Sequence, residues 1–163
     1  MTSCKYNKKW LTKGNLCIMG SNEPAYSNSL GTLLVPSIIE AEWDWVEPLL
    51  QSICTECEAD WEPHHVKRLL QDGAAHLWTS LSGGFAVTQM HHNEFFCRSY
   101  LLIWICHSGA EFFADEDFSL VNEFAKENDA GWIEIWSPRK GMSKHLSKFG
   151  FKSVNIVMRR EVS

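Results

Sequence analysis

Cys54 and Cys57 lie three residues apart and precede the adjacent pair His64 and His65, the residue types from which tetrahedral zinc sites are built. Zinc needs four ligands on one point, and Cys-x2-Cys-x6-His is not the spacing of a standard finger. Two helical cysteines and two surface imidazoles are the simpler reading, so no metal is expected and these four remain candidates. His91-His92 ends a predicted strand before Asn93, where solvated turn imidazoles are favoured over a general base. Cys106-His107 closes another strand. A nucleophile needs an activating base and an oxyanion site, and neighbours in a strand point to opposite faces. A buried cysteine beside a rim histidine is therefore expected.

Composition narrows the partners these groups could serve. The chain has 163 residues, 45% of them hydrophobic and 21% charged, which suits one globular domain that buries a core without disulfides. Residues 1–36 carry four lysines and one glutamate, so the net charge of −5 divides into a weakly basic arm and an acidic body. An acidic body repels a phosphate backbone, which argues against nucleic acid. The longest apolar run, LLIWIC at 101–106, falls far short of the roughly 20 residues that span a bilayer, so no membrane segment is expected. The start, MTSCKYNKKW, has no apolar run of the signal-peptide kind. The six cysteines are then expected to be reduced inside a cell.

Several elements must position these groups. Residues 1–36 show no sustained period and read as an irregular arm, yet Trp10 and Leu11 give it apolar content suited to docking on the body or on a partner. In the remainder, 37–163, a helix is predicted from Asp44, with Asp44 and Glu47 as its start signal and Pro48 in its first turn. Its stripe is Val46, Leu49, Leu50 and Ile53. A second helix is predicted over 62–71, capped by Asp60 and stopped by Gly73. AHLWTSLS, FAVTQMHH and FFCRSYLLIWIC read as a three-strand meander. A helix near 117–129 ended by Gly131, the strand WIEIW, a short helix over 142–149 stopped by Gly150 and a last strand FKSVNIVMRREV complete an α+β domain.

That element order, with FGFKS at 149–153 after a short helix, resembles the GNAT N-acetyltransferase fold across roughly residues 37–160. The resemblance implies a mixed, largely antiparallel sheet flanked by helices. It also implies acetyl-CoA held by backbone amides of a Q/R-x-x-G-x-G/A loop, where glycine lets the main chain approach a pyrophosphate at a helix N-terminus. The corresponding stretch is EFFADE at 111–116, without either glycine and with Asp115, Glu116 and Asp117 clustered at the expected helix start. Each carboxylate facing a phosphate oxygen would cost about 4 kcal/mol at a few ångströms and an effective dielectric of 20. The family's proton-donating tyrosine falls on Leu146, which has no proton to give.

The expected function is therefore a non-catalytic binding or assembly module on this scaffold, with no cofactor and with a protein partner or a second copy. Trp10, Leu11, Lys140, Lys144 and Lys148 are the candidate partner-binding residues. Small GNAT-like proteins of this kind resemble those encoded by tailed bacteriophages, often accessory or virion-associated, which implies a host-cytoplasmic or virion location. The alternative is an acyl-CoA-dependent N-acetyltransferase in which the amides of Ile103, Trp104, Ile105 and Cys106 pair with the pantetheine of acetyl-CoA.

Overall fold

The computed structural model describes residues 34–108, 115–136 and 142–154. In chain order these form β1 (Val35–Ser37), α1 (Ile39–Glu56), α2 (Pro63–Gln71), β2 (His76–Thr79), β3 (Phe85–Asn93), β4 (Arg98–His107), α3 (Ser119–Glu127), β5 (Ala130–Ile135) and α4 (Met142–Leu146). A five-stranded sheet runs in the order β1-β2-β3-β4-β5. The first three pairings are antiparallel and β4–β5 is parallel, so the expected α+β architecture with a largely antiparallel sheet is what the chain forms. The parallel pair follows from α3, which returns the chain to the end of the sheet at which β4 began.

Helix α1 starts five residues before the predicted position. Ile39, Trp43, Val46 and Leu50 make the buried stripe, and Glu40 and Glu42 sit in the first turn, where the helix dipole favours them. Pro48 is consequently inside the helix rather than at its start. Burying four large side chains contributes roughly 1.5–3 kcal/mol each, which outweighs the roughly 3 kcal/mol that an interior proline costs. In α2 the N-cap is Glu62, not Asp60: its N–H donates to His65 Nδ1 at 3.0 Å, and Pro63 fills the first helical position. Gly73 follows at φ 70°, as a helix stop requires.

The sheet begins inside the segment assigned to the arm. Val35 and Pro36 pair with Thr79 and Trp78, Leu34 is fully buried, and its N–H donates to Asp117 O at 2.9 Å. Residues 1–33, with Trp10 and Leu11, lie outside the described residues. The β2–β3 turn closes through Ser80 N–H to Gly84 O and Gly84 N–H to Ser80 Oγ, at 2.9 and 3.0 Å, with Gly83 at φ 80°. Helix α3 ends not at Gly131 but at Asn128, with Asp129 at φ 55°; Gly131 belongs to β5. Residues 151–154 of the predicted last strand are not in a strand, and 155–163 lie outside the described residues.

Alternation along the strands builds two cores on opposite faces of the sheet. Leu77, Phe85, Val87 and Ile105 pack with Ile39, Trp43, Val46, Leu50 and Val66 of α1 and α2. Trp78, Ala86, Leu101 and Ile103 pack with Leu34 and with Val121, Phe124 and Ala125 of α3.

Candidate functional site

Strand β4 changes face in its middle. Thr88 pairs with Ile103 and Val87 with Ile105, so Trp104 has no residue opposite it and forms a β-bulge. Ile103 packs with the α3 core, while Trp104 and Ile105, though adjacent, both pack on the α1–α2 side. The pairing with β5 runs from Ser99 to Ile103, closed by Trp136 N–H to Ile103 O at 3.4 Å. Among the described residues no strand pairs with β4 on that side beyond Ile103. Of the four residues predicted to meet a pantetheine, Ile103 is thus in the ladder, whereas Trp104, Ile105 and Cys106 extend past it.

The bulge also overturns the expected burial of Cys106, which is exposed, while His107 stacks on Phe85 with ring centroids 5.8 Å apart. With the alternation inverted at Trp104, the side chains beyond it do not follow the two-residue rule from which the burial was inferred.

A small apolar pocket opens where α3, β4, β5 and α4 converge. Ile103, Phe118, Asn122, Ile133, Leu146, Phe149 and Phe151 line it, and its volume is about 20 Å³, room for about one water. Gly150 at φ 80° reverses the chain after α4, and Phe151 N–H returns to Leu146 O at 3.2 Å, which brings Phe149 and Phe151 to the same wall. Leu146, which the resemblance aligned with a proton-donating tyrosine, is an apolar part of that wall. Among the described lining residues, Asn122 alone brings a polar side chain.

The carboxylates expected at the α3 N-terminus are arranged differently. Residues 115–118 form a separate 3-10 turn before α3, Glu116 is exposed and Asp117 is only 2% exposed. Asp117 therefore does not present its carboxyl group to solvent, and the first turn of α3 holds no acidic residue. Glu111 and the rest of the loop at 109–114 lie outside the described residues.

The zinc candidates are each engaged elsewhere. Cys54 Sγ donates to Trp61 O at 2.7 Å, His65 Nδ1 accepts the Glu62 N–H, and His64 Nδ1 lies 3.2 Å from Glu62 Oε2. Cys57 caps the end of α1. Among the described residues no three His, Cys, Asp or Glu side chains are grouped to hold a metal ion. Lys144 and Lys148 are exposed on the α4 side, and Lys140 lies outside the described residues.

A second constellation went unread in the sequence. On β3, β4 and β5 the rings of His91, Tyr100 and Trp132 stack in series, at 5.4 Å and 23°, then 5.0 Å and 4°. His91 is thereby half-buried rather than a solvated turn residue, and its Nε2 is buried with no hydrogen-bond partner among the described residues. His92 is exposed as expected. Glu134 accepts Trp136 Nε1–H at 2.7 Å and Trp132 Nε1–H at 3.4 Å. Burial, and then the Glu134 charge, raise the Tyr100 hydroxyl above its ordinary pKa. The signal was present in WIEIW, because a period of two puts Trp132, Glu134 and Trp136 on one face.

No family model matches the chain, and no curated protein matches it. Solved structures do. A probable acetyltransferase superposes with a TM-score of 0.60 at 13% identity, covering 80% of this chain and 96% of the other. The ribosomal-protein-alanine N-acetyltransferase of Brucella melitensis biovar Abortus gives 0.57 at 13%, covering 80% and 96%. An aminoglycoside acetyltransferase from an uncultured soil metagenomic sample, solved with sisomicin, gives 0.56 at 7%, covering 80% and 95%. At these identities the likeness is one of fold: the chain has the GNAT-like architecture of acetyltransferases.

Proposed function

We propose that this chain uses an acetyltransferase-type scaffold for binding and assembly rather than for acetyl transfer. The observation that carries the reading is Leu146 in the wall of a pocket of about 20 Å³. A departing thiolate needs a proton donor within hydrogen-bond reach, and among the described residues the wall around Leu146 is aliphatic and aromatic except for Asn122. The partner is a protein or a second copy of the chain, met by the exposed Lys144 and Lys148 and by Trp10, Leu11 and Lys140. The resemblance to small proteins of tailed bacteriophages gives that assembly its setting, an accessory or virion-associated role.

One observation favours a second reading, an N-acetyltransferase that uses acetyl-CoA. Among the described residues, β4 extends past its ladder with β5 beyond Ile103, and strand amides at such a position suit an extended ligand such as pantetheine. Titration calorimetry of the whole chain with acetyl-CoA separates the two. The assembly reading expects no heat at micromolar cofactor, with a stable oligomer or complex by light scattering. Micromolar binding of acetyl-CoA overturns it.

A further inference from the structure

We propose that Cys54 and Cys57 are a redox-active pair, which closes to a disulfide by exchange with a small disulfide and thereby loosens Trp61 from Trp104. Both thiols are free and half-buried. Cys54 lies in the last turn of α1 and Cys57 is its C-cap, with the Cys57 N–H held by Ile53 O at 2.9 Å. The helical path therefore runs from one cysteine to the other, and residues three apart in a helix have Cα atoms about 5 Å apart. A disulfide spans roughly 4.4–6.8 Å between Cα atoms, so the backbone already sits at the required separation. The Cβ atoms of such a pair are about 5–6 Å apart in a regular helix, against roughly 3.5–4.5 Å in a disulfide. The turn beyond Cys57 is the part that can give. Glu58 stands at φ 47°, a left-handed position that favours glycine, and its N–H reaches Thr55 O only at 3.5 Å. A small shift of Cys57 closes the gap without disturbing the buried stripe of α1, whose last member is Leu50.

One protein thiolate attacks the S–S bond of the small disulfide and expels half of it as a thiolate, which takes up the proton that the attacking thiol lost. The second protein thiol then loses its proton, attacks the mixed disulfide and expels the other half, which takes up that proton. The cysteines give up two electrons, and the small disulfide becomes two thiols. The second step is intramolecular, which favours a bridge over a second adduct. Closure changes the hold of Cys54 on the loop before α2. Its Sγ donates to Trp61 O at 2.7 Å, and Trp61 meets Trp104 edge to face with ring centroids 5.5 Å apart. A disulfide sulfur has no hydrogen to give, so the bridge releases the Trp61 carbonyl. Trp104 is the bulged residue of β4, and the thiol state of the pair is thereby connected to the strand at the centre of the candidate site.

The test equilibrates the whole chain with bis(2-hydroxyethyl) disulfide in graded amounts at fixed 2-mercaptoethanol, quenches with acid and digests with a protease that cuts after glutamate. Cleavage after Glu56 puts Cys54 and Cys57 in separate peptides, which stay joined only through an S–S bond. Exposed Cys97, between β3 and β4, is the internal reference for simple adduct formation. Joined peptides are expected at a disulfide concentration at least tenfold below the one that half-converts Cys97. In the bridged chain the indole N–H resonances of Trp61 and Trp104 are expected to move while that of Trp78, on the opposite face of the sheet, stays. Cys54→Ser keeps a hydroxyl donor for Trp61 O, so it is expected to hold those resonances in place and to leave Cys57 with a single adduct. Separate adducts on Cys54 and Cys57, bridging no easier than the Cys97 adduct, or a bridge that leaves Trp61 and Trp104 unmoved overturns the inference. Peptide mapping and resonances of the unaltered chain decide the matter even if the variant does not fold.

Discussion

Tyr100 joins the stacked rings to the Glu134 charge, so its titration reads the cluster directly. Its pKa is raised first by burial and then by Glu134. Between the ordinary value of 10 and the folded value, the folded state holds a proton that the unfolded chain has released. The group therefore contributes stability at lower pH, which is lost as pH rises through that window. Glu134→Gln should lower the Tyr100 pKa only part of the way, because the larger cause remains. Tyrosinate absorbance, with Tyr100→Phe subtracted to remove the other two tyrosines, measures it. The buried bond from Trp78 Nε1–H to Thr88 Oγ1, 2.9 Å long, belongs to the same scale. Thr88→Val is close in shape but strands the indole donor, so it should cost about 1–3 kcal/mol, and Thr88→Ser less, in urea denaturation.

Helix α1 and strand β4 show where local pattern was readable and where it was not. The stripe of α1 was visible in Val46 and Leu50, but a proline ten residues into a helix looks like a start signal when only local cost is counted. Ile39 and Trp43 extend the stripe backward, and their value comes from a sheet face that a sequence window does not contain. Pro48→Ala should restore a backbone donor at an exposed position and raise stability by about 1–2 kcal/mol, since the gain in helix propensity is offset by a freer unfolded chain. An unchanged or lower urea midpoint would count against an interior proline under strain. The meander, the glycine stop at Gly150 and the largely antiparallel sheet followed from periodicity and turn chemistry. The bulge at Trp104 did not, because it is a property of two strands in register and appears in neither alone. Cys106 was misplaced for that reason. That Leu146 has no acidic proton is plain from its residue type, but its companions Ile103, Phe118 and Ile133 come from three other parts of the chain.

At the scale of the molecule, two cores share one sheet, and Leu34 ties the sheet edge to the α3 side. It is fully buried with Trp78 and Val121, its N–H holds Asp117 O at 2.9 Å, and β1 begins at the next residue. Leu34→Ala should cost about 2–5 kcal/mol, the range for a large aliphatic side chain removed from a packed site. The route of that loss distinguishes one cooperative unit from two layers. Among the described tryptophans, Trp43, Trp45, Trp61 and Trp104 pack in the α1–α2 layer, which Leu34 does not join, while Trp78 packs with Leu34, so the fluorescence is read in a Trp78→Phe background. Each layer packs on strands that also carry the other, Leu77 and Val87 on one face and Trp78 and Ala86 on the opposite face. A layer that melted alone would strip the shared strands of half their burial. Leu34→Ala is therefore expected to move the tryptophan fluorescence and far-ultraviolet dichroism transitions in urea together, by the same shift and with the denaturant slope unchanged. A fluorescence transition left in place while the dichroism moves would show that α1 and α2 hold their side of the sheet without the other.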